Sequence, residues 1–335
     1  MNKEIVSLIN NNQEFILTSH VNPDGDSIGS EIALYLYLKN LGKNAKILNY
    51  SPTPQNYRFL DKENVIEEFN EEKHKGLIEK ADVIFILDTN EFERVRTLAP
   101  YIKASNAKKI LIDHHLGFNK DEFDEYIMDT DSPSTGEILY RFFKDNEKNT
   151  GRDNITDDMA VALYTAIMTD TGSFKYDRTD AETHTITADL LGRGVKPYDV
   201  YSEIYNRATP GKLHLLGRFL NGIILEYDGR LAYSIVLRKD FQETGTDEYA
   251  IEGFSTHLMS LETVVMGIVI TQTLRGVKLS FRSKGDVKSN ELAKEFGGGG
   301  HQNASGAFIP GAEVNELTKR VVSAAEKFVK TEIIK

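Results

Sequence analysis

Short runs that are apolar throughout alternate along this chain with longer runs whose apolar residues recur at helical spacing. Phe15-Ile-Leu-Thr18, Val83-Ile-Phe-Ile-Leu87 and Lys109-Ile-Leu-Ile112 lack the polar alternation of a half-exposed strand, which is the pattern of strands covered on both faces. Ala45-Lys-Ile-Leu-Asn-Tyr50 reads as a further short strand, and Glu31 to Asn40 as a helix ending at Gly42. Strands separated by helices predict an α/β fold on a parallel sheet, where ligands gather beyond the carboxyl ends of the strands.

Residues 181–222 read as helical, with breaks at Gly192-Arg-Gly194 and Thr209-Pro-Gly211. From Ile223 the texture turns to β. Ile223 to Tyr227 and Leu231 to Leu237 flank Asp228-Gly229, a strong hairpin signal. Strands are predicted at Thr263–Leu274 and Val277–Arg282, and helices at Asn290–Phe296 and from Ala312 to about Lys330. These shifts divide the chain into an N-terminal parallel-sheet α/β domain over 1–192, a helical connector over 193–222 and a smaller α/β domain over 223–335.

Composition narrows the setting. The chain has no cysteine, hence neither disulfides nor a thiolate metal site. Its apolar runs fall far short of the ~20 residues that span a bilayer, and Met1-Asn-Lys-Glu-Ile-Val6 has no signal-peptide pattern. A cytoplasmic protein without membrane attachment is the expectation. The net charge of −11 opposes a grip on long duplex nucleic acid, which calls for a basic face, and favours a short or monomeric phosphorylated substrate.

Candidate chemistry lies where the apolar runs end. His20-Val-Asn-Pro-Asp24-Gly-Asp26 follows the first run, Asp88 the second and Asp113-His114-His115 the third, while Asp170 follows Ala162 to Met168. Singly, each has a plainer explanation: Pro-Asp-Gly-Asp is an ordinary turn, Asp88 suits a strand terminator or helix N-cap, and the triplet suits a polar loop. Their recurrence is what a two-metal hydrolytic site requires, hard oxygen and imidazole nitrogen ligands converging from separate elements. Adjacent histidines project differently, so one can ligate a metal while the other reaches substrate. An Asp at a helix C-terminus opposes the macrodipole, a cost that a cation beside Asp170 would offset. Ser134-Thr-Gly-Glu137 fits a capping box, and His184, His214 and His257 read as structural.

In the second domain, strand alternation sets Lys278, Ser280, Arg282 and Lys284 on one face and Leu279 and Phe281 on the other. Gly297-Gly298-Gly299-Gly300-His301 follows a predicted helix. Either it is a flexible loop, or its N–H groups cradle an anion. The glycine spacing matches neither a dinucleotide fingerprint nor a Walker loop.

Taken together, the four clusters and the glycine run resemble the DHH phosphoesterase superfamily with its accompanying DHHA1 domain. The likeness spans nearly the whole chain, in the right order, and is nearest to the compact bacterial type that cleaves short RNA and 3′-phosphoadenosine 5′-phosphate (pAp). It implies one metal held by His20, Asp24 and Asp88 and another by Asp26, Asp88, His114 and Asp170, with Asp88 bridging. Two Mn²⁺ ions are the implied cofactors, with Mg²⁺ or Co²⁺ as alternatives. Asp113 would orient an imidazole, and His115 would stand beside the scissile phosphate. Arg282, Gly298, Gly299, Gly300 and His301 would bind the nucleotide. The implied substrates are short single-stranded RNA, cut to nucleoside 5′-monophosphates, and pAp, cut to AMP. Linear signalling dinucleotides, polyphosphate and a non-catalytic nucleotide sensor remain open as alternatives, and a homo-oligomer is compatible with the chain.

Overall fold

The structure, a computed structural model, describes residues 3–330. It divides into two compact units between Arg207 and Ala208. The range read as a connector is therefore shared. Val200 and Ile204, from the helix Pro197–Tyr205, join the core of the first unit, whereas Leu215 and Phe219, from the helix Pro210–Asn221, join that of the second.

The first unit is built on strands β1 (Glu14–Thr18), β2 (Asn44–Asn49), β3 (Ile66–Glu68), β4 (Val83–Leu87), β5 (Lys108–Asp113) and β6 (Glu125–Met128). Their order is β3-β2-β1-β4-β5-β6, and every pair is parallel. Strand alternation explains why the runs are apolar throughout. Phe15, Leu17, Phe85 and Ile112 enter the core on one face, while Ile16, Ile84, Ile86 and Leu111 enter a second core on the other. Strand order reverses between β1 and β4, and at such a switch point the connections leave in opposite directions and open a crevice at the carboxyl ends.

Three helices on one face bring polar groups to that crevice: Gly25–Asn40 directly after β1, Thr135–Thr150, and Asp157–Asp170. Gly25 faces Thr169 while Gly29 faces Ala162 and Ala166, so the first and third of these helices run antiparallel at close range. A Cβ at Gly29 would strike the Ala162 carbonyl. The start of one helix thereby meets the end of the other, which puts Asp26 near Asp170.

The second unit carries β7 (Ile224–Glu226), β8 (Leu231–Val236), β9 (Met266–Gln272), β10 (Gly276–Ser283), β11 (Gly299–His301) and β12 (Ala304–Pro310), in the order β11-β12-β10-β9-β8-β7. Only β8 and β9 pair in parallel. The Asp228-Gly229 hairpin is present, with positive φ at Tyr227, Asp228 and Gly229. Leu279 and Phe281 are buried and Lys278 and Arg282 exposed, as the alternation predicts. The glycine run differs from the open loop read in the sequence, because Gly299–His301 forms an edge strand on β12. Two of its glycines have a packing reason: a Cβ at Gly298 would strike the Gly306 carbonyl and one at Gly300 the Ala304 carbonyl. Among the described residues no helix is long and apolar enough to cross a membrane.

Candidate metal centre

Chain segments leaving β1, β4 and β5 deliver His20, Asp88 and Asp113–His115 to one place. His20 is buried, with Nδ1 2.9 Å from the Val21 carbonyl. A carbonyl only accepts, so Nδ1 carries the proton and Nε2 is turned towards acidic partners. That nitrogen lies 3.4 Å from Asp88 Oδ2 and 3.9 Å from Asp24 Oδ2. His114 repeats the arrangement. Its Nδ1 is 3.2 Å from the Ser132 carbonyl, and its Nε2 is 3.3 Å from Asp170 Oδ2, 3.6 Å from Asp88 Oδ1 and 3.8 Å from Asp26 Oδ2.

Asp88 thus addresses a different histidine with each oxygen. It sits at φ +58° immediately beyond β4, a left-handed turn that Asp tolerates better than most residues. Asp24 caps the helix Gly25–Asn40, accepting from the backbone N–H groups of Asp26 and Ser27 through Oδ1. Its other oxygen is left towards His20. Asp113 Oδ1 accepts from the His114 backbone N–H at 2.8 Å and lies 2.7 Å from His115 Nδ1, while the buried Oδ2 has no hydrogen-bond partner.

Burial and the crowding of like charge set the electrostatics of the cluster. Burial, then the charges of Asp88 and Asp170, push Asp26 well above the usual carboxylate range. Asp170 is pushed up to about 7 by burial, with His114 opposing and Asp24 and Asp88 adding to the rise. Burial would also raise Asp88, yet its bonds to His114 and His20 outweigh it and hold Asp88 low. For the imidazoles, burial would favour the neutral form, but the Asp88 carboxylate prevails and lifts His20 to about 9 and His114 to about 10. Protonated imidazoles therefore stand among the carboxylates as the compensating cations. Metal ions could take their place, because three sets of ligand atoms each lie within 4.8 Å of one another: His20, Asp24 and Asp88; Asp26, His114 and Asp170; and Asp88, His114 and His115. Mixed imidazole and carboxylate donors suit Mn²⁺.

The structure therefore brings together all eight candidate site residues singled out in the first unit: His20, Asp24, Asp26, Asp88, Asp113, His114, His115 and Asp170. Sequence reasoning overlooked their supports. Ser27 Oγ donates to Asp88 Oδ2 at 2.6 Å and lies 2.9 Å from His20 Nε2. Asp26 accepts from the backbone N–H groups of Thr135 at 2.7 Å and Gly136 at 2.9 Å, a carboxylate seated on a helix N-terminus. Ser134 does cap that helix, accepting from the Glu137 N–H, so the capping signal is real but incomplete. Arg94 is a cation near enough to oppose the charge of His20. In the second unit, Arg282 and His301 both pair with Ala304 across adjacent strands and so flank it on one sheet face.

Comparison with known proteins agrees with this organisation. Residues 14–167 match the DHH family N-terminal domain and residues 228–331 the DHHA1 domain. A relative from Thermus thermophilus, the bifunctional oligoribonuclease and PAP phosphatase NrnA, is 30% identical over 93% of this chain and 89% of its own. The solved structure of an exopolyphosphatase-related protein from Bacteroides fragilis superposes with a TM-score of 0.92 at 28% identity, covering 98% of this chain and 97% of that one. Exonuclease RecJ bound to manganese shares the fold at a TM-score of 0.57 and 13% identity, covering 96% and 94% of the two chains. The chain belongs to the DHH family, its N-terminal DHH domain followed by a DHHA1 domain.

Proposed function

We propose that this protein is a metal-dependent phosphoesterase of the cytoplasm that hydrolyses short oligoribonucleotides to nucleoside 5′-monophosphates and pAp to AMP. The observation that carries the reading is Asp88, whose two oxygens face two histidines belonging to two separate carboxylate sets. His20, Asp24 and Asp88 would hold one Mn²⁺, and Asp26, Asp88, His114 and Asp170 the other, with Mg²⁺ or Co²⁺ as substitutes. Bound there, the ions would supply a nucleophilic water at neutral pH and neutralise charge developing on the phosphoryl oxygens.

The chain's own groups do the rest. Asp113 holds the proton of His115 at Nδ1, which leaves Nε2 to give a proton to the leaving oxygen. Asp26, seated on two backbone N–H groups, and Asp88, held by Ser27, keep their carboxylates oriented before substrate arrives. Arg282, with the hairpin of Gly298, Gly299, Gly300 and His301, would bind the nucleotide, the guanidinium through phosphate or base and the imidazole by hydrogen bond or stacking. Support for the substrates comes from the NrnA relative, named for oligoribonuclease and PAP phosphatase activity.

The test is a time course with labelled RNA dimers to decamers, pAp, linear dinucleotides and polyphosphate, in Mn²⁺ and in chelator. Wild-type protein should release mononucleotides from the shortest RNAs and phosphate from pAp, and both activities should vanish in chelator and in Asp88→Asn. Full activity in Asp88→Asn would overturn the site. Preferred turnover of polyphosphate would shift the reading towards the Bacteroides neighbour's name, and tight dinucleotide binding without hydrolysis would make the protein a sensor.

A further inference from the structure

The segment after Asp88 carries two arginines that the mechanism above does not use. Arg94 lies in the short helix Phe92–Val95, half-buried, and its carbonyl accepts from the Val21 N–H at 2.7 Å. That bond ties the segment to the residue following His20. Arg141, Arg193, Arg207 and Arg218 each sit against a carboxylate. Among the described residues Arg94 and Arg96 make no such pair, although Glu91 and Glu93 are their close neighbours in sequence.

Arg96 adds an independent oddity. Its backbone is at φ +59° and ψ −127°, a region that glycine enters freely and other residues enter only under strain. Strain of this kind clusters at functional sites, and the charge around the centre bears on what that function is. Five aspartates crowd the site and Asp24 reaches its exposed rim, so even with cations bound, a second phosphate on the substrate would meet carboxylate unless it had a cation of its own. Both pAp and a 5′-phosphorylated dinucleotide carry such a phosphate.

We propose that Arg94 and Arg96 form a phosphate subsite on the first unit, beside His20, that holds the substrate phosphate which is not cleaved. The inference rests on the phosphoesterase reading and names the substrate feature which that reading leaves open. Guanidinium groups suit the task, since they stay charged and can grip phosphate through two parallel N–H bonds.

The experiment compares the KM for pAp with the Ki of adenosine 3′-phosphate, which lacks the second phosphate, as a competitor in Mn²⁺. Wild type should favour pAp by about tenfold or more. Arg94→Gln should bring the two constants together, with Arg94→Lys recovering part of the gap. Arg96→Gly should raise the KM for pAp several-fold while raising Tm by about 2 °C or more as the strain is released, a pairing that a merely structural residue would not produce. Equal affinity of wild type for the two compounds, or an undiminished preference in Arg94→Gln, would overturn the subsite. A higher Tm with an unchanged KM in Arg96→Gly would remove Arg96 from it. Wild-type protein inactive on both pAp and RNA dimers would overturn the phosphoesterase reading underneath.

Discussion

Replacing Glu31 with glutamine should make the metal-free protein more stable, increasingly so as pH rises. Glu31 lies wholly inside the helix Gly25–Asn40, and its Oε2 accepts from Asn49 Nδ2 at 2.8 Å. Asn49 Oδ1 in turn accepts from the backbone N–H of Ser19, next to His20. Burial pushes the Glu31 carboxyl from 4.5 up to about 8, with Asn49 and Ser19 opposing only in part. Between those two values the folded chain keeps a proton that the unfolded chain releases, so stability falls as pH rises. Each pH unit in that window lowers the folding constant roughly tenfold, which amounts to about 3 kcal/mol by pH 7, levelling off above the folded value. Glutamine keeps an acceptor for Asn49 and carries no charge, so it removes this slope. The assay is urea unfolding of both proteins in chelator from about pH 5 to 8.5, followed by circular dichroism. The two should nearly coincide at the acid end and separate steadily above it. Parallel profiles across that range would refute the claim that Glu31 is neutral in the fold.

Other outcomes follow from the centre itself. His20 and His114, raised to about 9 and about 10, hold protons at neutral pH that a metal must displace. Calorimetric titration with Mn²⁺ near pH 7 in buffers of differing protonation enthalpy should therefore show at least two protons released, with Asp26 and Asp170, themselves raised, adding to the number, and fewer as pH rises through those values; no release would discard both histidine ligands. Ser27→Ala removes the hydroxyl shared by His20 and Asp88 and should weaken Mn²⁺ binding by about ten- to a hundredfold with an unchanged far-ultraviolet spectrum. Asp113→Asn should lower kcat by about a hundredfold or more with little change in KM, because the imidazole of His115 loses the negative charge that supports its proton. Gly29→Val meets the Ala162 carbonyl and should cost about 2 kcal/mol or more in thermal unfolding.

How legible the molecule is in its sequence depends on where the information sits. Val83 to Leu87 announces a central strand because both faces of the sheet are covered, leaving no room for polar residues. The edge strands Ile66–Glu68 and Glu125–Met128 are short and only half-buried, so no apolar run marks them. The eight polar residues of the centre stand out because acids and imidazoles directly beyond buried elements demand a reason. Ser27, Thr135 and Gly136 do not stand out, since one acts through a hydroxyl on a helix and the others through backbone N–H groups that every residue but proline carries. That the glycine run forms an edge strand is hidden for a related reason. Glycine signals close backbone approach without saying to what, and here a neighbouring strand supplies the partner.

Asp26 belongs to two structures at once. It opens the helix Gly25–Asn40, and its carboxylate also fastens the first turn of the helix Thr135–Thr150 through two backbone bonds. A shift of the second helix along its axis would drag the carboxylate with it, so a disturbance far along that helix can register at the candidate metal centre. Position 26 is thereby constrained twice over: an amide there would keep only one acceptor for the two backbone N–H groups and would remove a carboxylate charge from the site. Loss of activity in such a variant would therefore be expected together with a loosened start to the helix Thr135–Thr150.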